Sequence, residues 1–242
     1  MKLFSRKPKI TFSCSPSYYT AFELYKPTYA AAFSPPWLKN VPALYDKKDE
    51  NGIVIPGSSI KRCPGLQWSL TSGFILPIWT DIALKINPDG SWSYQCADNN
   101  TSITAHTKDQ MPGFYNGYAH LKIVSPWAVK CDIETKFYWT TPYYFYNNPT
   151  KYILAHGMME YKYNHSSNIN LFFPIEHEPY SFMFNAGDPL VHMIDTAFTE
   201  FHVQYELLQN NLEFYKKYNY DSSTHFVGDY FKRKKLLGKK NV

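Results

Sequence analysis

Cysteine is scarce in this chain, and the few cysteines present are widely spaced. They are Cys14, Cys63, Cys96 and Cys131, and no two of them form a Cys-x-x-Cys pair. Structural zinc sites normally use such closely spaced pairs, so the sequence indicates no cysteine-based zinc site. In a reducing compartment these four residues are expected to remain thiols with a structural role.

Long apolar runs are also missing. No segment approaches the ~18 apolar residues that a membrane-spanning helix requires. The N-terminus, MKLFSRKPKI, carries basic residues but no apolar region behind them, which is unlike a secretory signal. We therefore expect a protein that has no membrane partner and is not secreted.

Common catalytic motifs are absent as well. The sequence contains no Gly-x-Ser-x-Gly and no Walker loop, and none of its eight histidines begins the His-x-Asp/Glu motif of Fe(II) oxygenases. One metal hypothesis stays open, a metal-dependent β-barrel enzyme in which His120, His156, His177 and His192 converge at the barrel mouth. Apart from that alternative we expect no metal site.

Glycine is rare, with 11 residues, whereas the chain has 21 tyrosines, 17 phenylalanines and 6 tryptophans. Large rings favour strands and broad packed faces over helices. In the first part of the chain, aromatic residues alternate with prolines at positions 16, 27, 35, 36 and 42. These prolines exclude a long helix, so residues 1–59 are predicted to form an extended aromatic arm.

Alternating apolar and polar residues predict an all-β body over residues 60–195. In DIALKINPDGSWSYQC, residues 81–96, two period-2 runs flank Pro-Asp-Gly, which predicts a β-hairpin. Further short strands are predicted at HLKIVS, WAVKC, ETKFYWTT, KYILAH, MEYKYN, INLFFPI, YSFMF and LVHMI. Many short strands bounded by turn residues indicate a sandwich or a barrel rather than a βαβ fold.

The last segment, residues 196–242, is predicted to be a helix followed by a basic tail. Apolar residues with alternating spacings of three and four mark one helical face: Phe198, Phe201, Tyr205, Leu208, Leu212 and Tyr215. The basic residues of the tail follow the last acidic residue of the chain: Lys232, Arg233, Lys234, Lys235, Lys239 and Lys240. Such a tail is predicted to bind an anionic partner in a salt-dependent manner.

The segment GMMEYKY, residues 157–163, resembles a motif of dUTPases, Gly-Val-Ile-Asp-x-x-Tyr. INLFFPIEHEPYSFMFNAGDPLVHMI continues the likeness with a β-pair and Gly187-Asp188, and the resemblance covers residues 120–195. It implies the β-clip fold of dUTPases, or a jelly-roll-like relative. It also implies Glu160 as the general base and a nucleotide site formed by Gly157, Tyr163, His192, Thr140 and Thr141, with Mg²⁺ as the cofactor of an active enzyme.

Several positions depart from the dUTPase pattern. Thr140-Thr141-Pro142 stands where the family has its Arg-Ser-Gly phosphate loop, and His192 replaces a glutamine. The loop would lack both the charged donor and the glycine that lets backbone amides approach phosphate. The longer glutamate also displaces the carboxylate, and a shift of ~1 Å can cost on the order of 100-fold in rate. We therefore expect a scaffold without catalysis and without a cofactor.

The chain also resembles an uncharacterised family of phages, especially cyanophages, and some bacteria. The matching segments are SPPWLKNVP, IKRCPG with TSGFILPIWTDI, and Ser125-Pro126-Trp127. The resemblance implies a non-catalytic phage protein, a virion component or an interaction module, located in the virion or in the cytoplasm of an infected bacterium. Its expected partners are other phage or host proteins and further copies of itself, as a trimer by analogy with dUTPases. The alternatives are a nucleotide-binding or nucleotide-hydrolysing relative of dUTPase and the metal-dependent enzyme.

Overall fold

The computed structural model describes residues 7–33, 35–106, 116–146, 150–163, 168–214 and 235. Strands dominate these ranges: β1 (Lys9–Cys14), β2 (Thr28–Tyr29), β3 (Leu44–Lys48), β4 (Val54–Ser58), β5 (Phe74–Pro77), β6 (Ile82–Ile86), β7 (Trp92–Cys96), β8 (Ile103–Ala105), β9 (Tyr118–Val124), β10 (Trp127–Cys131), β11 (Phe137–Thr140), β12 (Ile153–Leu154), β13 (Gly157–Met159), β14 (Asn168–Pro174), β15 (Tyr180–Phe184), β16 (Pro189–Asp195) and β17 (His202–Leu207). The α-helices are short: α1 (Tyr19–Leu24), α2 (Pro36–Lys39), α3 (Pro64–Thr71) and α4 (Asn211–Phe214). The prediction of a mainly all-β chain is confirmed.

The strands form several open sheets, and none closes into a barrel within the described ranges. The largest sheet has the order β13-β11-β16-β5-β2, and a four-stranded sheet has the order β12-β14-β9-β8. Two three-stranded sheets, β10-β1-β17 and β15-β6-β7, and the isolated pair β3-β4 complete the set. Most neighbours in these sheets are distant in sequence, so long-range pairing defines the architecture.

The predicted hairpin at residues 81–96 is confirmed. Strands β6 and β7 pair antiparallel from Ile82 opposite Cys96 to Ile86 opposite Trp92. The turn between them is closed by the Asn87 amide, which donates to the Ser91 carbonyl at 2.9 Å, and Gly90 adopts a positive φ of 80°. An Asn-Pro-Asp-Gly turn between period-2 runs therefore fixed this element locally.

The main core lies where the inner faces of the sheets meet. Phe12 of β1, Phe74 of β5 and Phe137 of β11 are fully buried, and the Phe12 and Phe74 rings lie 5.4 Å apart in an edge-to-face contact. Strand β9 contributes alternate residues, because Leu121 and Ile123 are buried while their neighbours are more exposed. Aromatic rings thus fill the interior in place of small residues, as the composition predicts.

Helix α3 builds a second, smaller core on the opposite face of the largest sheet. Leu66 and Leu70, one turn apart on α3, pack with Ile75 of β5 and with Phe145. All four residues of β5 are buried. The centre of this sheet is therefore covered on both faces, which explains the continuous apolar run of FILP.

The N-terminal segment, predicted as an arm over residues 1–59, is built into the body at its start. Strand β1 is the central strand of its sheet, and Ile10, Phe12 and Cys14 are fully buried. Its partners are β10 and β17, so this one sheet combines strands from all three segments predicted from the sequence, 1–59, 60–195 and 196–242. In contrast, β3 and β4 form a hairpin whose residues are mostly exposed.

Within the described residues the C-terminal helix includes the turn Asn211–Phe214, and the helical interpretation of residues 198–208 is wrong. Residues 202–207 form β17, which pairs parallel with β1 along its full length. The stretch HVQYEL also alternates with period two, and the free edge of β1 selects that pattern over the helical one. No helix in the described ranges is both long and apolar enough to cross a bilayer.

Gly73, just before β5, should tolerate no side chain. Its φ is +71°, and a Cβ there would lie 1.9 Å from the Met193 carbonyl oxygen of β16. We expect Gly73→Ala to lower the free energy of unfolding by at least about 3 kcal/mol, because overlap with backbone adds to left-handed strain. The measurement is urea unfolding.

The matched control is Gly52→Ala in the β3–β4 turn. Gly52 has a similar φ of +77°, but a Cβ there meets nothing within 4 Å. Its loss should be only about 1–2 kcal/mol, the cost of the left-handed backbone alone. Equal losses at the two sites would contradict the tight contact between Gly73 and β16.

Candidate functional site

Strands β11, β13 and β16 bring several residues of the predicted nucleotide site into one region. Thr140 of β11 pairs with His192 of β16, and Trp139 pairs with Gly157 of β13. Glu160 and Tyr163 follow directly after β13. The sequence therefore located neighbouring residues correctly, and their side-chain contacts decide what the region can do.

His192 belongs to the second core. It is 3 % exposed, its Nε2 donates to the Ser72 carbonyl oxygen at 2.8 Å, and the Phe145 ring contacts it edge-on at 5.7 Å. Burial lowers the pKa of His192, which favours the neutral imidazole. At this position the side chain links the end of α3 to β16.

Thr141 is likewise an interior residue. It is 2 % exposed, and its hydroxyl oxygen accepts a hydrogen bond from the Leu154 amide of β12 at 3.2 Å. Thr140, its neighbour, is half-buried. The segment that corresponds to the phosphate loop of dUTPases thus connects β11 to β12 through an internal hydrogen bond.

The chain is irregular between Glu160 and Tyr163. The chain turns over residues 161–163, and the Tyr163 amide donates to the Glu160 carbonyl oxygen at 3.3 Å. The strand predicted at MEYKYN is therefore wrong, because β13 ends at Met159. Glu160 is buried, at 7 % exposure.

Tyr163 is 4 % exposed, and its hydroxyl donates to the carboxylate of Glu134. This hydrogen bond, with smaller contributions from burial and from the charges of Glu134 and Glu160, raises the pKa of Tyr163 to about 12. The ring is thus tied to the segment that precedes β11.

Gly157 does not lie at a turn. It lies within β13, opposite Trp139, and a Cβ there would meet nothing within 4 Å. Gly187 lies in the turn just before β16, and its φ of +93° is a conformation that favours glycine. Another residue type would therefore fit at position 157.

Of the four histidines of the metal hypothesis, His120, His156 and His192 pack with aromatic or polar neighbours, whereas His177 is exposed. The His120 ring lies between His106 at 4.4 Å and Phe172 at 4.3 Å, and His156 stacks on Tyr138 at 5.6 Å. Among the described residues, no three His, Cys, Asp or Glu side chains are grouped as metal ligands would be.

Sequence reasoning missed a surface groove of about 430 Å³ beside the largest sheet. Its lining includes Thr71, Ser72 and Gly73 at the end of α3, and Phe198 to Phe201 before β17. Trp68 lies one helical turn before Ser72, and its ring is 6.4 Å from that of Phe198 at an angle of 53°. We call this region the aromatic groove. The sequence did not indicate this groove, because residues 198–215 were predicted to form a helix.

Both rings of the aromatic groove are presented to solvent. Trp68 is 65 % exposed and Phe198 is 66 % exposed. Phe198 also has a φ of +52°, and no other described residue apart from glycine has a positive φ. A phenylalanine rarely adopts this left-handed conformation, which crowds its Cβ against the backbone.

Asp195 holds the backbone of this loop. It is 2 % exposed, and its carboxylate accepts hydrogen bonds from the Thr199 amide at 2.5 Å, the Ala197 amide at 3.3 Å and the Thr135 hydroxyl at 2.5 Å. At the rim, the Lys7 ammonium and the Glu200 carboxylate form an exposed ion pair at 2.6 Å. That contact raises the pKa of Lys7 and lowers the pKa of Glu200.

Most of the basic tail lies outside the described residues: Lys232, Arg233, Lys234, Lys239 and Lys240. Lys235, the one described residue of the tail, is exposed. The prediction that the tail binds an anionic partner stays a prediction.

Replacing His192 by glutamine should weaken the pH dependence of stability. Because burial lowers the pKa of His192 below its unfolded value of ~6.5, the unfolded state binds more protons below that pH, and stability falls as the pH falls. Glutamine still offers an N–H to the Ser72 carbonyl but does not titrate. We expect the loss of unfolding free energy between about pH 7 and about pH 5 to be smaller in His192→Gln.

His120 also contributes to the pH dependence of stability, and it does so equally in wild type and variant. Burial and the nearby His106 lower its pKa to about 4. The matched control is His202→Gln, at an exposed position of β17. An identical pH profile for wild type and His192→Gln would contradict the assignment of His192 to a buried, neutral form.

Comparison with known proteins yields no further likeness: no protein-family model, no curated protein and no solved structure matches the chain. The resemblances to dUTPases and to a phage family therefore rest on the motif residues alone. The positions of the described side chains are the basis for any functional conclusion.

Proposed function

We propose that the chain is a non-catalytic binding protein, an interaction module built on an all-β scaffold. The proposal rests on one observation: side chains of the predicted nucleotide site make hydrogen bonds within the chain. The Thr141 hydroxyl binds the Leu154 amide, His192 binds the Ser72 carbonyl, and Tyr163 binds Glu134. A triphosphate needs several donors directed at its oxygens at once, and these side chains are directed at other parts of the chain.

The aromatic groove is a second, independent observation that supports a binding role. Exposing two large rings to water is unfavourable, and neither ring fills a core. The backbone of Phe198 also occupies an unfavourable region. Exposed aromatic residues of this kind are enriched where proteins bind partners.

The phage assignment within this proposal rests on the sequence segments SPPWLKNVP and TSGFILPIWTDI. We propose a virion-associated protein that assembles with copies of itself, with a trimer as the first candidate. The experiment is mass spectrometry of gradient-purified virions against the infected-cell lysate. Enrichment in the virion is the expected result, and a protein confined to the lysate would remove the virion role.

A second candidate function is nucleotide binding at the turn after β13. One observation favours it: the chain turns between Glu160 and Tyr163, and the Tyr163 amide donates to the Glu160 carbonyl oxygen at 3.3 Å, so the two residues are neighbours in space. In this reading Glu160 activates water and Tyr163 packs against the sugar, with Mg²⁺ on the phosphates.

Titration of dUTP with Mg²⁺ into the pure protein separates the two candidates. We expect no heat of binding and no hydrolysis at millimolar nucleotide, because Thr141 and His192 are hydrogen-bonded within the chain. The measurements are isothermal calorimetry and release of pyrophosphate.

Glu160→Gln is the matched variant, because it removes the charge and keeps the size of the side chain. Micromolar binding by the wild type, or hydrolysis that Glu160→Gln abolishes, would promote the nucleotide function and overturn the non-catalytic proposal. Identical null results for both proteins support the binding module.

A further inference from the structure

Phe198 has an unfavourable backbone conformation, and its side chain makes no core contacts that would offset the cost. A bulky residue with a φ of +52° carries backbone strain of order 1–3 kcal/mol, and such strain persists where the surroundings over-determine the backbone. Here the Asp195 carboxylate fixes the loop through the Ala197 and Thr199 amides. Glycine or asparagine would relieve the strain, and the Phe198 ring is 66 % exposed, so core packing does not compensate it.

Trp68 is a second exposed ring, next to Phe198 at the edge of the groove. On α3, Leu66 and Leu70 are directed into the second core, whereas Trp68 is 65 % exposed. The two rings lie 6.4 Å apart at 53°, so they form an open, tilted pair rather than a closed stack. Two elements far apart in sequence thus present aromatic faces at one position on the surface.

The polar groups beside these rings are balanced in charge. The Lys7 ammonium and the Glu200 carboxylate neutralise each other at 2.6 Å, and the Asp195 carboxylate is turned inward and 2 % exposed. Thr71 and Thr199 add hydroxyl groups to the lining. A phosphate or a nucleic acid would find no free positive charge among these groups, and binding of such ligands depends on positive charge.

We propose that the aromatic groove is a binding site for a neutral saccharide. The apolar face of a sugar ring stacks on Trp68 and Phe198, and adjacent hydroxyls bind the Lys7–Glu200 pair. A hydroxyl both donates and accepts hydrogen bonds, so neighbouring sugar hydroxyls match an ammonium donor beside a carboxylate acceptor. The exposed ion pair is weak enough to exchange its contact for these bonds.

The volume and polarity of the groove fit this ligand better than a peptide. A cavity of about 430 Å³ lies in the ~300–1,000 Å³ range of small-molecule sites. A proline-rich peptide, the other common ligand of exposed tryptophans, offers mainly carbonyl acceptors, which could bind the Lys7 ammonium but would offer no donor to Glu200 in its place. The saccharide inference rests on the proposed function, since it names the ligand class of a binding protein.

The test is calorimetric titration of the full-length protein with maltoheptaose, cellohexaose and chitohexaose. We expect at least one of them to bind, and the affinity to stay constant between about 0.05 and about 0.5 M salt because the ligand is uncharged. Trp68→Ala and Phe198→Asn should each weaken binding at least about tenfold, as expected for central aromatic contacts. Asparagine tolerates the left-handed backbone, so Phe198→Asn should unfold at no lower temperature than the wild type.

Tyr19→Ala is the matched control, because Tyr19 is 57 % exposed on α1, is not part of the groove lining and should leave binding unchanged. Failure of all three sugars to bind at about 10 mM would overturn the proposal, as would binding that survives both groove variants. Decaproline binding that Trp68→Ala abolishes would instead assign the groove to peptides. dUTP hydrolysis removes the proposed function whatever the sugars do, whereas a negative sugar result alone removes only the saccharide site.

Discussion

The pairing of β1 between β10 and β17 joins the beginning, the middle and the end of the described chain in one sheet. β1 is antiparallel to β10 and parallel to β17, and Phe12 at its centre is fully buried against Phe74 and Tyr205. A parallel pair requires a long connection between its strands, and here the connection is nearly the whole body of the protein. Strands β1 and β17, from the two end segments, therefore belong to the body of the fold, and the many non-local pairs predict slow folding.

The same constraint positions the aromatic groove. β17 begins at His202, directly after the loop that carries Phe198, so docking of β17 on β1 anchors one end of this loop. Its other end is anchored by Asp195 at the end of β16 and by the close approach of Gly73 to the Met193 carbonyl. A loop held at both ends by sheets can maintain an unfavourable φ at Phe198, which a free loop would relax.

Burial on both faces of the largest sheet explains why the dUTPase-like positions are structural. Ile75 and His192 pair across β5 and β16 on the face that α3 covers, while Phe74 and Met193 pair on the main-core face. A residue at the His192 position must satisfy its polar atoms inside the protein, and it does so with the Ser72 carbonyl. The open surface lies further along, at the end of α3, where no strand covers Trp68 within the described chain. The proposed binding surface thus lies next to the sheet that holds the buried residues.

Local patterns in the sequence determined the all-β class, the hairpin around Asn-Pro-Asp-Gly, and the strands β9, β10, β14, β15 and β16. In each case the deciding contacts are close in sequence or follow from strict alternation. Only tertiary structure decided the rest. The spacing from Phe198 to Leu208 fits a helix, but His202–Leu207 forms strand β17 because β1 offers a partner edge. Trp68 and Phe198 are 130 positions apart and meet because the end of β16 returns beside α3, and no local pattern encodes such an encounter.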